Sequence, residues 1–157
     1  MKTKSYKNTN INWTRSQGLI LKLLESREIQ EIRFTQLSWE TIHTAGVTME
    51  KDTYALMIEF LKLVPSGKIP IRIFVPNLVN NNEKLRNQAY RVLFWYLKTK
   101  FEAIDTGLVE FEQEFMPHIS LGKGNGLMNV FYAFKQKILP SIASGQKADI
   151  QFLTERT

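Results

Sequence analysis

The amino-acid sequence predicts an α+β domain: an N-terminal helix, an antiparallel β meander of three to four strands, then a long helix and two shorter C-terminal helices. Three observations carry the prediction. Apolar residues recur at helical spacing near the N-terminus; between Glu31 and Val75 the period becomes two; and from about Glu83 to Asp105 helical spacing returns over a much longer stretch.

The first helix follows Thr14-Arg-Ser-Gln17, which has the form of a capping box, with the Thr14 hydroxyl and the Gln17 side chain satisfying free amides of the first turn. Leu19, Ile20, Leu23 and Leu24 share one stripe while Arg15, Lys22 and Arg27 fall away from it, so one face is buried. Ile32 and Phe34 then point one way and Leu37, Trp39 and Thr41 the other, which places a turn or bulge near Gln36. Tyr54, Leu56, Ile58 and Phe60 alternate with Ala55, Met57 and Glu59. Pro65-Ser-Gly67 is a turn, and Ile69, Ile71, Ile73 and Val75 alternate with Pro70, Arg72, Phe74 and Pro76 in a proline-flanked return strand.

Asn80-Asn-Asn82 punctuates the chain, and the long helix that follows stops at Gly107. Its buried face is Leu85, Ala89, Tyr90, Leu93, Leu97, Phe101 and Ile104. Phe111, Phe115 and Ile119, four apart, predict a short helix within Leu108 to Leu121 despite Pro117. Leu127 to Ile142 reads as a last helix, with Val130, Phe131, Phe134 and Ile138 inward and Pro140 near its end. The expected organisation is a basic flexible tail over residues 1–13, a single α+β domain over 14–145, and a tail or short strand over 146–157.

Composition bounds the chemistry. A 157-residue chain that is 43% apolar and 23% charged can bury one proper core. The absence of cysteine excludes disulfides, thiolate metal sites and cysteine nucleophiles. No apolar run reaches the roughly 18 residues of a membrane helix, and MKTKSYKNTN is basic without the apolar stretch of a signal peptide, so a cytoplasmic protein is expected. The formal charge of +6, helped by Lys2, Lys4 and Lys7, favours polyanionic partners.

The stretch EFMPHISLGKGNG, Glu114 to Gly126, offers two enzymatic readings. Two-histidine phosphoesterases need two His-x-Thr/Ser motifs, one imidazole acting as base and the other as acid. His118-Ile-Ser120 fits one; His43, in Ile-His-Thr-Ala, has its hydroxyl at the wrong position. Half of the machinery is misplaced, and His118 capping or packing at a helix end is the favoured reading. Gly122-Lys-Gly-Asn-Gly126 lacks the spacing of a phosphate-cradling loop and reads as a turn. Glu110, Glu112 and Glu114 spread around a helix with no paired histidines, so no metal and no cofactor are expected.

The better lead lies on the long helix. Lys84, Arg91 and Lys98 recur every seven residues with Gln88 and Trp95 between them, and Lys100 is nearby. Cations at this spacing can follow a phosphate backbone, and an exposed indole can stack on a base. The competing reading is a solvated face with Trp95 tucked against the sheet; Glu102 weakens the field.

The run Tyr90-Arg-Val-Leu-Phe-Trp-Tyr-Leu-Lys-Thr-Lys-Phe-Glu-Ala-Ile-Asp-Thr-Gly107, then Phe111-Glu-Gln-Glu-Phe115 and His118-Ile119, resembles a family of small proteins encoded by tailed phages and prophages. Members read W-R-x-L-x-x-x-I-K-A-K-L-E-A-V-x-x-G-I, then T-F-E-x-E-F-L-A-H-I, then a glycine turn and a helix. Ile71-Arg-Ile-Phe-Val-Pro76 is similar to the family's I-R-F-x-x-P strand. The likeness covers about half the chain and departs at Thr99, Phe101 and Pro117, where the family has Ala, Leu and Ala; the last bears on the continuity of the short helix. It implies a mobile-element origin and makes EFMPHI a packing segment. Such genes look like replication or recombination accessories or anti-host factors, and the resemblance implies no reaction.

The expectation is therefore a non-enzymatic phage or prophage accessory that contacts DNA or RNA through Lys84, Arg91, Trp95, Lys98 and Lys100, with Arg72 on the neighbouring strand and the basic tail assisting. The alternatives are a protein-binding adaptor or inhibitor of a host factor, in which Trp95 and Phe94 form an exposed anchor, and a degenerate two-histidine phosphoesterase.

Overall fold

The computed structural model describes residues 11–43, 49–79, 82–122 and 128–145. Lys2, Lys4 and Lys7, the centre of the glycine turn and the C-terminal residues 146–157 lie outside the described residues. Helix α1 (Trp13–Glu25) begins one residue after Asn12, whose side chain accepts from the Thr14 amide at 2.9 Å. The cap is thus Asn12 rather than Thr14, and Gln17 turns instead toward the Tyr90 hydroxyl at 3.5 Å. Ser16, Ile20 and Leu24 form the buried stripe. Arg27 does not fall away: its Nη1 meets Asp105 at 2.6 Å and its guanidinium lies 4.5 Å from the centre of the Phe101 ring.

Strands β1 (Ile29–Ser38), β2 (Tyr54–Val64) and β3 (Gly67–Leu78) form an antiparallel sheet in the order β1-β2-β3, as the alternation predicts. Residues 54–58 of the central strand are all buried because both faces of the sheet are covered. One face carries Leu56, Ile58, Phe60, Ile71 and Ile73 in the main core; the other carries a smaller core of Ala55 and Met57 with Ile42, Leu37 and Phe74.

That second core corrects the reading of β1. Leu37 points opposite to Phe34 because it has a core of its own, so no bulge is needed near Gln36. The register shift lies between Gln30 and Arg33, where Glu31 adopts a φ of 54° and β1 carries one extra residue. Trp39 and Thr41 belong not to a strand but to the short helix α2 (Trp39–His43). On β3 the shift falls opposite Tyr54/Leu56, beside Pro76 and Asn77, the latter with φ 65°.

Helix α3 (Glu83–Asp105) starts at Asn82, whose side chain accepts from the Leu85 amide, and ends before Gly107 at φ 79°. Ala89, Tyr90, Leu93, Leu97 and Phe101 are buried against the sheet and α1. Trp13 meets Tyr90 at one end while Arg27 meets Asp105 at the other, so α1 and α3 run parallel.

The segment after α3 forms helix α4 (Phe111–Phe115) and then a 3-10 turn at Met116–His118 that accommodates Pro117. Phe111 and Phe115 stack at 4.5 Å and pack on Phe101. Ile119 bridges Ile71 on the outer edge of β3, the Ser120 amide donating to the Pro70 carbonyl, while Ser120 pairs with Asn129 and the Leu121 amide donates to the Met128 carbonyl. The last helix is two: α5 (Val130–Lys137) and α6 (Leu139–Ala143). Pro140 lacks the N–H that would continue α5, so it sits in the first turn of a new helix. Ile138 is buried as expected, but the phase of α5 differs: Ala133 is buried, Tyr132 packs on Phe74, and Phe131 is 42% exposed.

Candidate nucleic-acid interface

The outward face of α3 follows from its inward one. At about 100° per residue, Lys84, Arg91, Trp95 and Lys98 fall within a narrow arc opposite Leu93 and Leu97. Trp95 is 37% exposed and points away from the sheet rather than into it. The Arg91 guanidinium lies 5.3 Å and the Lys98 ammonium 4.8 Å from the centre of its ring. Arg91 also stands 5.4 Å from Phe94, whose ring meets Trp95 edge-on at 5.5 Å. The indole is therefore held between two cations, each such contact contributing about 0.5–1 kcal/mol at an exposed site.

Among the described residues, Lys84, Arg91 and Lys98 take part in none of the ion pairs. Their charges are available to an anion. The fourteen helical steps from Lys84 to Lys98 cover about 21 Å, comparable to roughly six base-pair steps of duplex or a few nucleotides of extended strand. Chemically, the row offers three point charges and one flat ring, which suits a backbone with occasional stacking rather than base-edge readout. Glu102 is exposed beyond Lys98 and bounds the row.

Two of the expected contacts do not belong to this face. Lys100 is only 9% exposed. Its ammonium donates to the Glu114 carbonyl at 3.1 Å and carboxylate at 3.2 Å, and lies 4.4 Å from the centre of the Tyr96 ring. It ties α3 to α4 and turns no charge outward. Arg72 projects from the sheet face opposite α3, because its neighbours Ile71 and Ile73 face the main core. Its Nε meets Glu59 at 3.0 Å and its Nη1 donates to the Ser120 hydroxyl. Arg33 meets the same carboxylate at 3.3 Å, so Glu59 is shared by two guanidiniums.

The histidine of EFMPHIS is engaged in packing. His118 Nε2 lies 2.7 Å from the Tyr96 hydroxyl, with the two rings edge-to-face. Burial, assisted by the positive charge of Lys100, lowers its pKa from 6.5 to about 4. Ser120, the hydroxyl of the same motif, accepts from Arg72. His43 ends α2, and its side chain, on which a pairing with His118 would depend, lies outside the described structure. The bracketing of Trp95 by Arg91 and Lys98 carried a sequence signal in the i, i+4 and i, i+3 spacings. The Lys100–Glu114 tie carried none.

Comparison with family models, with curated proteins and with solved structures returned no match.

Proposed function

We propose that the protein is a non-enzymatic accessory of phage or prophage type that holds nucleic acid along the outer face of α3. The observation that carries this reading is the placement of Arg91 and Lys98 on either side of an exposed Trp95, directly opposite the buried face, with no carboxylate pairing among the described residues. Arg15 and Lys22, exposed on the parallel helix α1, add to the charge, as does the net +6 of the chain. Phosphate contacts supply affinity without sequence information, while stacking on the indole favours unpaired bases.

The test is a fluorescence-anisotropy titration of labelled single-stranded DNA, duplex DNA and single-stranded RNA at two salt concentrations. Micromolar or tighter binding with steep salt dependence, preferring single strands and weakened several-fold by Trp95→Ala, supports the reading. Absence of binding to all three at low salt rejects it.

A second reading has an observation of its own. Val92, Trp95 and Tyr96 are 36%, 37% and 41% exposed on adjacent positions of α3, an apolar strip beside the cations. A protein partner anchored on Trp95 would use that strip. In that case the chain fails to bind nucleic acid, and Val92→Ser with Tyr96→Ser abolishes capture of the partner.

A further inference from the structure

Away from the ladder, a cavity of about 270 Å³ opens at the end of the molecule where α1, α3 and β2 begin and β3 ends. Its walls are unusually aromatic. Tyr90 is flanked by Trp13 at 5.3 Å and by Phe34 at 5.6 Å between ring centres, and Tyr54 closes the wall from the sheet. Among the polar groups beside these rings are the guanidinium of Arg86, the amide of Gln17 and the hydroxyl of Tyr90.

These polar groups are not used up by the fold. Arg86 lies 5.4 Å from the centre of the Trp13 ring and joins no ion pair among the described residues. The Tyr90 oxygen accepts from Gln17 at 3.5 Å, which leaves its own proton to donate. Burial raises the Tyr90 pKa above the usual value, so that proton stays on. Flat apolar walls, a cation, a hydroxyl donor and a side-chain amide with both donor and acceptor match a planar heteroaromatic ring bearing an acidic group. A cavity near the lower bound of ligand pockets, roughly 300 Å³, limits the guest to about one nucleotide.

We infer that this cavity is a binding site for a nucleobase and its phosphate, the base against Trp13, Phe34 and Tyr90 and the phosphate on Arg86. The base can come from a free nucleotide or from an unstacked residue of a strand. The site stands whether or not the α3 ladder binds nucleic acid, since none of its residues belongs to that ladder.

Isothermal titration calorimetry of the full chain with nucleoside monophosphates and with the matching nucleosides tests the inference. Monophosphates are expected to saturate at one per chain. Arg86→Gln, at a half-exposed position, weakens them about tenfold or more, the loss of one charge-assisted contact, and leaves the nucleosides unchanged. Gln17→Ala, which removes no core residue, is the second variant and alters the ranking among bases. A short single strand separates the two sources. Free nucleotide that competes with the strand, together with a strand affinity lowered by Arg86→Gln, assigns the site to a base of the strand. Monophosphate binding weakened by Arg86→Gln, with strand binding that is indifferent to Arg86→Gln and not competed by free nucleotide, assigns it to free nucleotide. No saturation by any monophosphate together with strand binding indifferent to Arg86→Gln overturns the inference, as does monophosphate binding equal in wild type and Arg86→Gln.

Discussion

Replacing Lys100 by methionine separates a structural lysine from a ligand-binding one. The side chain is 11% exposed and its ammonium makes two hydrogen bonds to Glu114, whose own side chain is 26% exposed. Methionine keeps most of the apolar stem against Tyr96 and Phe115 and removes the charge together with its two hydrogen bonds. Hydrogen bonds to charged groups contribute about 1.5–3 kcal/mol, but the Glu114 carboxylate can turn partly to water, which pulls its share toward the 0.2–1 kcal/mol or so of an exposed pair. The expected loss is about 2 kcal/mol. Urea unfolding followed by circular dichroism should show it as a midpoint lowered by about 1 M at unchanged slope, for a slope of roughly 2 kcal/mol/M. Nucleic-acid affinity, measured well below the transition, should stay within about twofold of wild type. A variant as stable as wild type whose strand affinity falls several-fold would refute the reasoning, because Lys100 would then face the ligand.

Two further outcomes follow from the core and from the histidine. Phe115 is fully buried against Phe60, Phe101 and Phe111, so Phe115→Ala should lose about 3–5 kcal/mol of stability; a loss below 1 kcal/mol, on the same scale of core truncations, would mean that α4 is not packed as described. His118 has a folded pKa lowered to about 4, below its ordinary 6.5, by burial first and then by Lys100. Between those values the unfolded chain binds the extra proton, so stability is full above about pH 6.5 and falls as the pH drops toward 4. His118→Gln should flatten that part of the stability profile, and an unaltered slope in thermal melts from pH 7 to pH 4.5 would remove His118 as its source.

The fold was legible where its signals are local. Helix α3 is long, capped by Asn82 and closed by Gly107, and its apolar spacing defines the inward face without reference to anything distant. The hairpin of β2 and β3 is likewise marked by alternation on both sides of Pro65-Ser66. The misplaced features depend on tertiary contacts. Leu37 reads as a break in period until the second core beneath Ala55 and Met57 is known. The phase of α5 is set by packing on Phe74 and by the break before Pro140, neither of which its own apolar residues reveal. At the site, the arithmetic that groups Lys84, Arg91 and Lys98 places Lys100 about 200° further round the helix, on the buried side. Strand alternation likewise sets Arg72 opposite Ile71 and Ile73. Both exclusions were present in the sequence, but what engages the two cations, Glu114 for one and Glu59 with Ser120 for the other, is a matter of long-range packing.

The most direct measurement is the salt dependence of single-strand binding for wild type and for Arg91→Ala with Lys98→Ala. If both cations contact phosphates, the slope of log K against log salt should fall by about 1.4, at roughly 0.7 per contact for single strands, together with a loss of affinity at low salt. An unchanged slope and affinity in a folded double variant would contradict the assignment of nucleic-acid binding to the outer face of α3.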